Sequence, residues 1–66
     1  MTITVNGKQE MLNDKITVLE FIKFKGLNPD TVVVEHNYNI IKKEQWGNTM
    51  INSNDTLEII RFVGGG

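Results

Sequence analysis

The sequence predicts an α+β fold, a mixed sheet of four to five strands with one main helix packed on one face. Three observations carry this expectation. Two short strand-like segments flank an Asn-Gly pair at Asn6–Gly7. A capped amphipathic stretch begins at Thr17. Two β-rich runs, "TVVVE" at 31–35 and "TLEIIRFV" at 56–63, follow it.

From Met1 to Val5 the chain alternates, with Ile3 and Val5 on one face and Thr2 and Thr4 on the other. That is the pattern of a half-buried strand. Asn6–Gly7 is the strongest short hairpin signal, because both residues tolerate the positive φ of a type I′ turn. Lys8 to Leu12 forms the antiparallel return, and "NDK" at 13–15 is a loop. "TVLE" then matches a capping box: the Thr17 hydroxyl accepts from the backbone N–H three residues on, and Glu20 reaches back. Ile16 precedes the cap as a hydrophobic staple. Val18, Leu19, Phe21 and Ile22 cover one arc at about 100° per residue. Glu20 and Lys23 lie opposite, and Phe24 falls on the polar side. Gly26 is the expected left-handed stop, with "LNPD" as loop.

Thr31 to Glu35 is the next strand, apolar on both parities, which suggests burial on more than one side. "HNYN" is a turn and Ile40–Ile41 a short partner strand. "KKEQW" at 42–46 reads as a helical turn ended by Gly47, and "NSND" at 52–55 as a turn before the last strand. This order lets the last strand lie parallel to the first, in the sheet centre. It is the β-grasp arrangement shared by ubiquitin-like proteins. The expected division is a domain over 1–63 and a flexible glycine tail over 64–66, since glycines offer no side chain for packing.

At 66 residues the chain is near the lower limit for folding without a staple. It has no cysteine, which excludes disulfides, zinc–thiolate sites, iron–sulfur clusters and a thiol nucleophile. That composition fits a cytoplasmic location. His36 is the single histidine, so a His cluster and a nucleophilic triad are both excluded. The net charge of −1 argues against a nucleic-acid partner. No apolar run approaches the roughly 20 residues of a membrane span, and "MTITVNGK" is not a signal peptide. A free monomer is expected.

In the last strand Leu57 and Ile59 share one parity, and Glu58, Ile60 and Phe62 the other. With one helix, only one sheet face is covered. Leu57 and Ile59 point to the helix, which leaves Ile60 and Phe62 on the open face beside the tail. Ile60, Phe62 and Val63 are therefore the candidate partner surface. The alternative is that the 38–51 segment closes this face through Trp46 or Tyr38. Gly64, Gly65 and Gly66 make a slim arm that can enter a narrow channel and present a carboxylate to another active site. The competing reading is a frayed end. Glu35 and His36 adjoin, but strand neighbours point to opposite faces, so they make no acid–base pair. Lys42, Lys43 and Glu44 read as a solvated turn, with a docking contact as the alternative. Trp46 reads as packing or as an interface anchor. Glu10, Asp14 and Glu58 read as surface charge.

"NGK" after the first strand, "TVLEFI", "VVVEHNYNII", "KKEQW" and "DTLEIIRFVGGG" together resemble the thiamine-biosynthesis sulfur carrier family, the ThiS-like ubiquitin-fold proteins. The resemblance covers essentially the whole chain. Lys42–Lys43 stand where family members commonly carry Pro-Arg, and Ser53-Asn54-Asp55 where they often carry Asp-Gly-Asp. The resemblance implies a protein co-substrate with no catalytic residues and no bound cofactor. It implies that a ubiquitin-activating-enzyme-like partner consumes ATP to adenylate the carboxylate of Gly66. Sulfur from a cysteine desulfurase system then replaces the adenylate, and the resulting thiocarboxylate supplies thiazole synthase. Gly64 and Gly65 thread the partner active sites. Other sulfur destinations (molybdopterin, cysteine or methionine synthesis), covalent protein tagging, and a non-covalent β-grasp interaction domain remain alternatives.

Overall fold

A computed structural model describes residues 1–62. Five strands and one helix are set in the order β1 (Thr2–Val5), β2 (Lys8–Met11), α1 (Val18–Phe24), β3 (Val32–His36), β4 (Asn39–Ile41) and β5 (Thr56–Arg61). Short 3₁₀ helices occupy Pro29–Thr31 and Lys43–Asn48. The sheet order is β2-β1-β5-β3-β4. β1 and β5 run parallel, and the other neighbours are antiparallel. This is the expected β-grasp arrangement, with β5 at the centre of a five-stranded mixed sheet.

Local chemistry accounts for each boundary. Asn6 and Gly7 take φ of 50° and 82° and close the first hairpin at Val5↔Lys8. Thr17 caps α1: its hydroxyl accepts from the Glu20 N–H at 3.1 Å, and the Glu20 carboxylate accepts from the Thr17 N–H at 2.8 Å. Gly26, at φ 73°, ends the helix in the left-handed region. The second hairpin turns on Asn37 and Tyr38, at φ 50° and 72°. A tyrosine at positive φ is unusual. The turn holds because Asn37 is bonded on both its backbone and its side chain, as described below.

Val18, Phe21 and Ile22 of α1 are fully buried against Ile3, Val5, Val32, Val34 and Leu57 of the sheet. Trp46 joins this core at 2% exposure, its indole N–H donating to the Ile41 carbonyl at 3.2 Å. Backbone bonds from Val18 to Thr49 and from Ile51 to Ile16, both 2.9 Å, tie the segment after the second 3₁₀ helix to the start of α1. Phe24 projects into solvent, as its position on the polar arc implied.

Several boundaries differ from expectation. Thr31 lies in the first 3₁₀ helix rather than in β3, because Asn28 caps that turn through the Asp30 N–H at 2.9 Å and Pro29 presets it. β3 instead runs on to His36, and it has a single covered face: Val32 and Val34 are buried while Val33 is only half-buried. Gly47 does not end the turn after β4, which continues as a 3₁₀ helix to Asn48. β2 ends at Met11 rather than Leu12, and β5 at Arg61, with Phe62 already outside the strand. Pairing still reaches Leu12, whose N–H donates to the Met1 carbonyl at 2.8 Å.

Candidate functional site

The chain leaves the sheet from the end of its central strand, so the two ends of β5 define the site. The start of β5 is held by Asp55, which is 8% exposed. One carboxylate oxygen accepts from the Asn52 N–H at 2.8 Å and lies 2.7 Å from His36 Nε2. The other accepts from the Asn37 amide at 3.1 Å. Asn37 also accepts from the Thr56 N–H through its side-chain oxygen at 2.8 Å, and its own N–H donates to the Thr56 carbonyl at 2.8 Å. One buried carboxylate thus joins the 52–55 turn, the β3–β4 turn and the start of β5. Burial alone would raise the Asp55 pKa. The Asn52 N–H, His36 and Asn37 outweigh that and hold it below the ordinary value of 3.8.

The end of β5 is held on one side only. On the β3 side, pairing runs from His36↔Leu57 to Val32↔Arg61, and the Phe62 N–H still reaches the Thr31 carbonyl at 3.0 Å. On the β1 side, the ladder stops at Val5↔Leu57. Asn6 prolongs it by one step. Its side-chain oxygen accepts from the Ile59 N–H at 2.7 Å, and its amide donates to the Ile59 carbonyl at 3.3 Å. A turn residue thereby imitates a strand residue.

The face opposite the helix carries an apolar strip beside this end. Ile60 is 51% exposed, Phe62 47% and Ile40 69%, and Val33 is half-buried directly across from Ile60. Trp46 lies in the core and Tyr38 is exposed, so neither residue covers these side chains. Glu35 and Glu58 face each other across β3 and β5 on the same side of the sheet. Like charges set directly opposite are unfavourable. Among the described residues neither Glu35 nor Glu58 has an ion-pair partner.

Of the sequence-derived site residues, Ile60 and Phe62 come together at the exposed end of β5. Val63, Gly64, Gly65 and Gly66 lie outside the described residues. Glu35 and His36 do not form a pair, as strand geometry dictated. His36 instead meets Asp55, a contact hidden in the sequence because 19 positions separate them. The Glu35–Glu58 opposition was equally hidden, since it depends on strand register. Glu10 is engaged with Lys25 at 2.6 Å, and Lys43 with Asp30. Among the described residues no group of three His, Cys, Asp or Glu side chains is placed to hold a metal ion. No described helix is long and apolar enough to cross a membrane.

Comparison with known proteins places this geometry. The model of the ThiS family matches residues 2–66. The chain is 34% identical to the sulfur carrier protein ThiS of Bacillus subtilis over 65 residues, covering 97% of this chain and 98% of that one. It is 32% identical to a thiazole synthase of Paramagnetospirillum magneticum over its whole length, but spans only 20% of that protein. The crystal structure of the thiamine biosynthesis protein ThiS from Geobacter metallireducens superposes with a TM-score of 0.86 at 30% identity, each chain covered in full. The family model matched over residues 2–66, with the near full-length identity to a ThiS protein, shows that the chain belongs to the ThiS family.

Proposed function

We propose that this chain is the sulfur carrier of a thiamine-biosynthesis pathway and that the carboxylate of Gly66 is its working group. The observation that carries this reading is the end-to-end similarity to the Bacillus sulfur carrier, whose length this chain matches almost completely. The geometry supports it. β5 is anchored at its start, and Phe62, the last described residue, stands four positions before Gly66 in the sequence. Four extended residues reach at most about 14 Å. A receiving enzyme must therefore come close to Phe62 and Ile60, which lie exposed at that end.

The chemistry follows from the group. A carboxylate is a poor acyl donor. Its oxygen attacks the α-phosphorus of ATP on the activating enzyme, releasing pyrophosphate and leaving an acyl adenylate. A persulfide sulfur derived from cysteine then displaces AMP at the carbonyl carbon, and a thiol cleaves the new S–S bond, leaving the thiocarboxylate and a disulfide. The chain itself contributes reach and an unhindered carbonyl, because Gly65 and Gly66 have no Cβ to crowd it. It contributes no acid, base or nucleophilic side chain. The occurrence of a homologous segment within thiazole synthase chains supports thiazole synthase as the acceptor.

Intact-protein mass spectrometry tests the reading directly. Incubation with the adenylating enzyme, ATP, a cysteine desulfurase, cysteine and a thiol reductant exchanges one oxygen for sulfur, and fragmentation places the change at Gly66. Removal of Gly65 and Gly66 abolishes it. Persistence of sulfur transfer from the truncated chain would show that the tail is inert and that the domain acts by non-covalent binding.

A further inference from the structure

The two edges of β5 are unequal where the tail leaves, and that inequality has a use. Along a strand, successive N–H groups point to opposite edges. The Ile59 N–H points to the β1 side, where Asn6 takes it, and the Phe62 N–H points to the β3 side, where Thr31 takes it. Arg61, one step beyond Ile59 in the same register, therefore directs its N–H and carbonyl to the β1 side. No strand of the described chain lies there, because β1 ends at Val5 and the chain turns away at Asn6–Gly7. A groove of about 530 Å³ opens at this edge, with Val5, Leu27, Val32 and Ile59 on its walls and Lys8 and Arg61 at its rim. The groove's acidic residue, Glu10, is already paired with Lys25. Among the described residues Lys8 and Arg61 have no ion-pair partner.

We infer that this edge receives an extended segment of the activating enzyme, which pairs with the backbone of Arg61 as an added strand. Unpaired strand edges are recognised in this way, with the main chain supplying affinity and alternate side chains supplying specificity. Charge complementarity identifies the segment. It carries a carboxylate towards Lys8 and Arg61 and an apolar side chain towards Leu27, Val32 and Ile59. Pairing here holds the strand in line up to the point where the tail begins, so the partner receives Gly66 in a defined register. The inference rests on the carrier reading above for the identity of the partner.

Two variants separate backbone from side chain. Arg61→Ala removes the guanidinium and keeps the N–H. Arg61→Pro removes both, and because this N–H makes no bond within the described domain, proline is tolerated as on other open edges. With the activating enzyme and ATP, Arg61→Ala raises the KM for the carrier. Arg61→Pro raises it about tenfold further, the weight of one backbone hydrogen bond, while melting within a few degrees of Arg61→Ala. Amide hydrogen exchange on the unaltered chain is the independent measurement: the Arg61 N–H exchanges freely alone and is protected in the complex. Equal KM values for the two variants, or an Arg61 amide that exchanges as fast in the complex as alone, overturn the inference. So does sedimentation showing that a second copy of the chain occupies the edge at assay concentrations. An unaltered chain that is never adenylated overturns the carrier reading instead.

Discussion

The start and the end of β5 belong to the same six-residue strand and are built on opposite terms. At the start, Thr56 and Leu57 are flanked by β1 and Leu57 also by β3; Leu57 is fully buried, and Asp55 binds two turns to the strand. At the end, Arg61 has one neighbour, and Ile60 and Phe62 are half exposed. The difference separates holding from presenting. On the carrier reading proposed above, one end of the strand is fixed so that the other can be offered without unravelling the sheet.

The sharpest way to break this comparison is at Leu57. Leu57→Ala leaves a cavity beneath α1 and costs about 3 kcal/mol, read as a fall in melting temperature of more than about 10 °C. A loss as small as that at Ile60 would mean that the two ends are not different in kind.

Next is the Asp55 clip. Asp55→Ala strands the Asn52 N–H and the Asn37 amide and costs about 2 kcal/mol. The same residue sets an acid dependence. Because its folded pKa lies below the ordinary 3.8, its contribution is fully present above the carboxylate range and is lost as pH falls through the folded value. Melting temperatures of the unaltered chain therefore drop on acidification more steeply than those of Asp55→Asn, and parallel curves would remove Asp55 as the cause.

Ile60→Ser addresses the presenting end. With half of the side chain already in water, it costs less than about 1 kcal/mol yet weakens binding to the activating enzyme or thiazole synthase. A collapse in thermal stability would place Ile60 in the core. The smallest effect has the opposite sign. Glu58→Gln removes the opposition to Glu35 and raises stability by a few tenths of a kcal/mol, measurable by urea denaturation, and unchanged stability would show that solvent already screens the pair.

Much of this was legible in local sequence. The Asn6–Gly7 hairpin, the Thr17–Glu20 capping box and the Gly26 stop were all readable because each rests on contacts within a few residues. The parity of Leu57 against Ile60 was readable too, since alternation along a strand needs no knowledge of the neighbours. Strand ends were less legible. Thr31 has high β-propensity, but the Asn28 cap and Pro29 draw it into the preceding turn. Gly47 looks like a stop, yet the chain continues in a 3₁₀ helix beside Leu19 of α1, a tertiary packing choice.

Short-range patterns specified the class of fold, the helix and its buried arc, the face of β5 that meets it, and the resemblance carried by the terminal motif. These depend on periodicity, capping and turn chemistry, all short-range. It took the assembled sheet to bring His36 and Asn37 to Asp55, to set Glu35 against Glu58, to complete the edge at Ile59 with Asn6, and to leave Arg61 with one open side. Those contacts join residues 18 to 53 positions apart. They exist because strand register, fixed by burying one face of the sheet under α1, brings distant polar groups side by side.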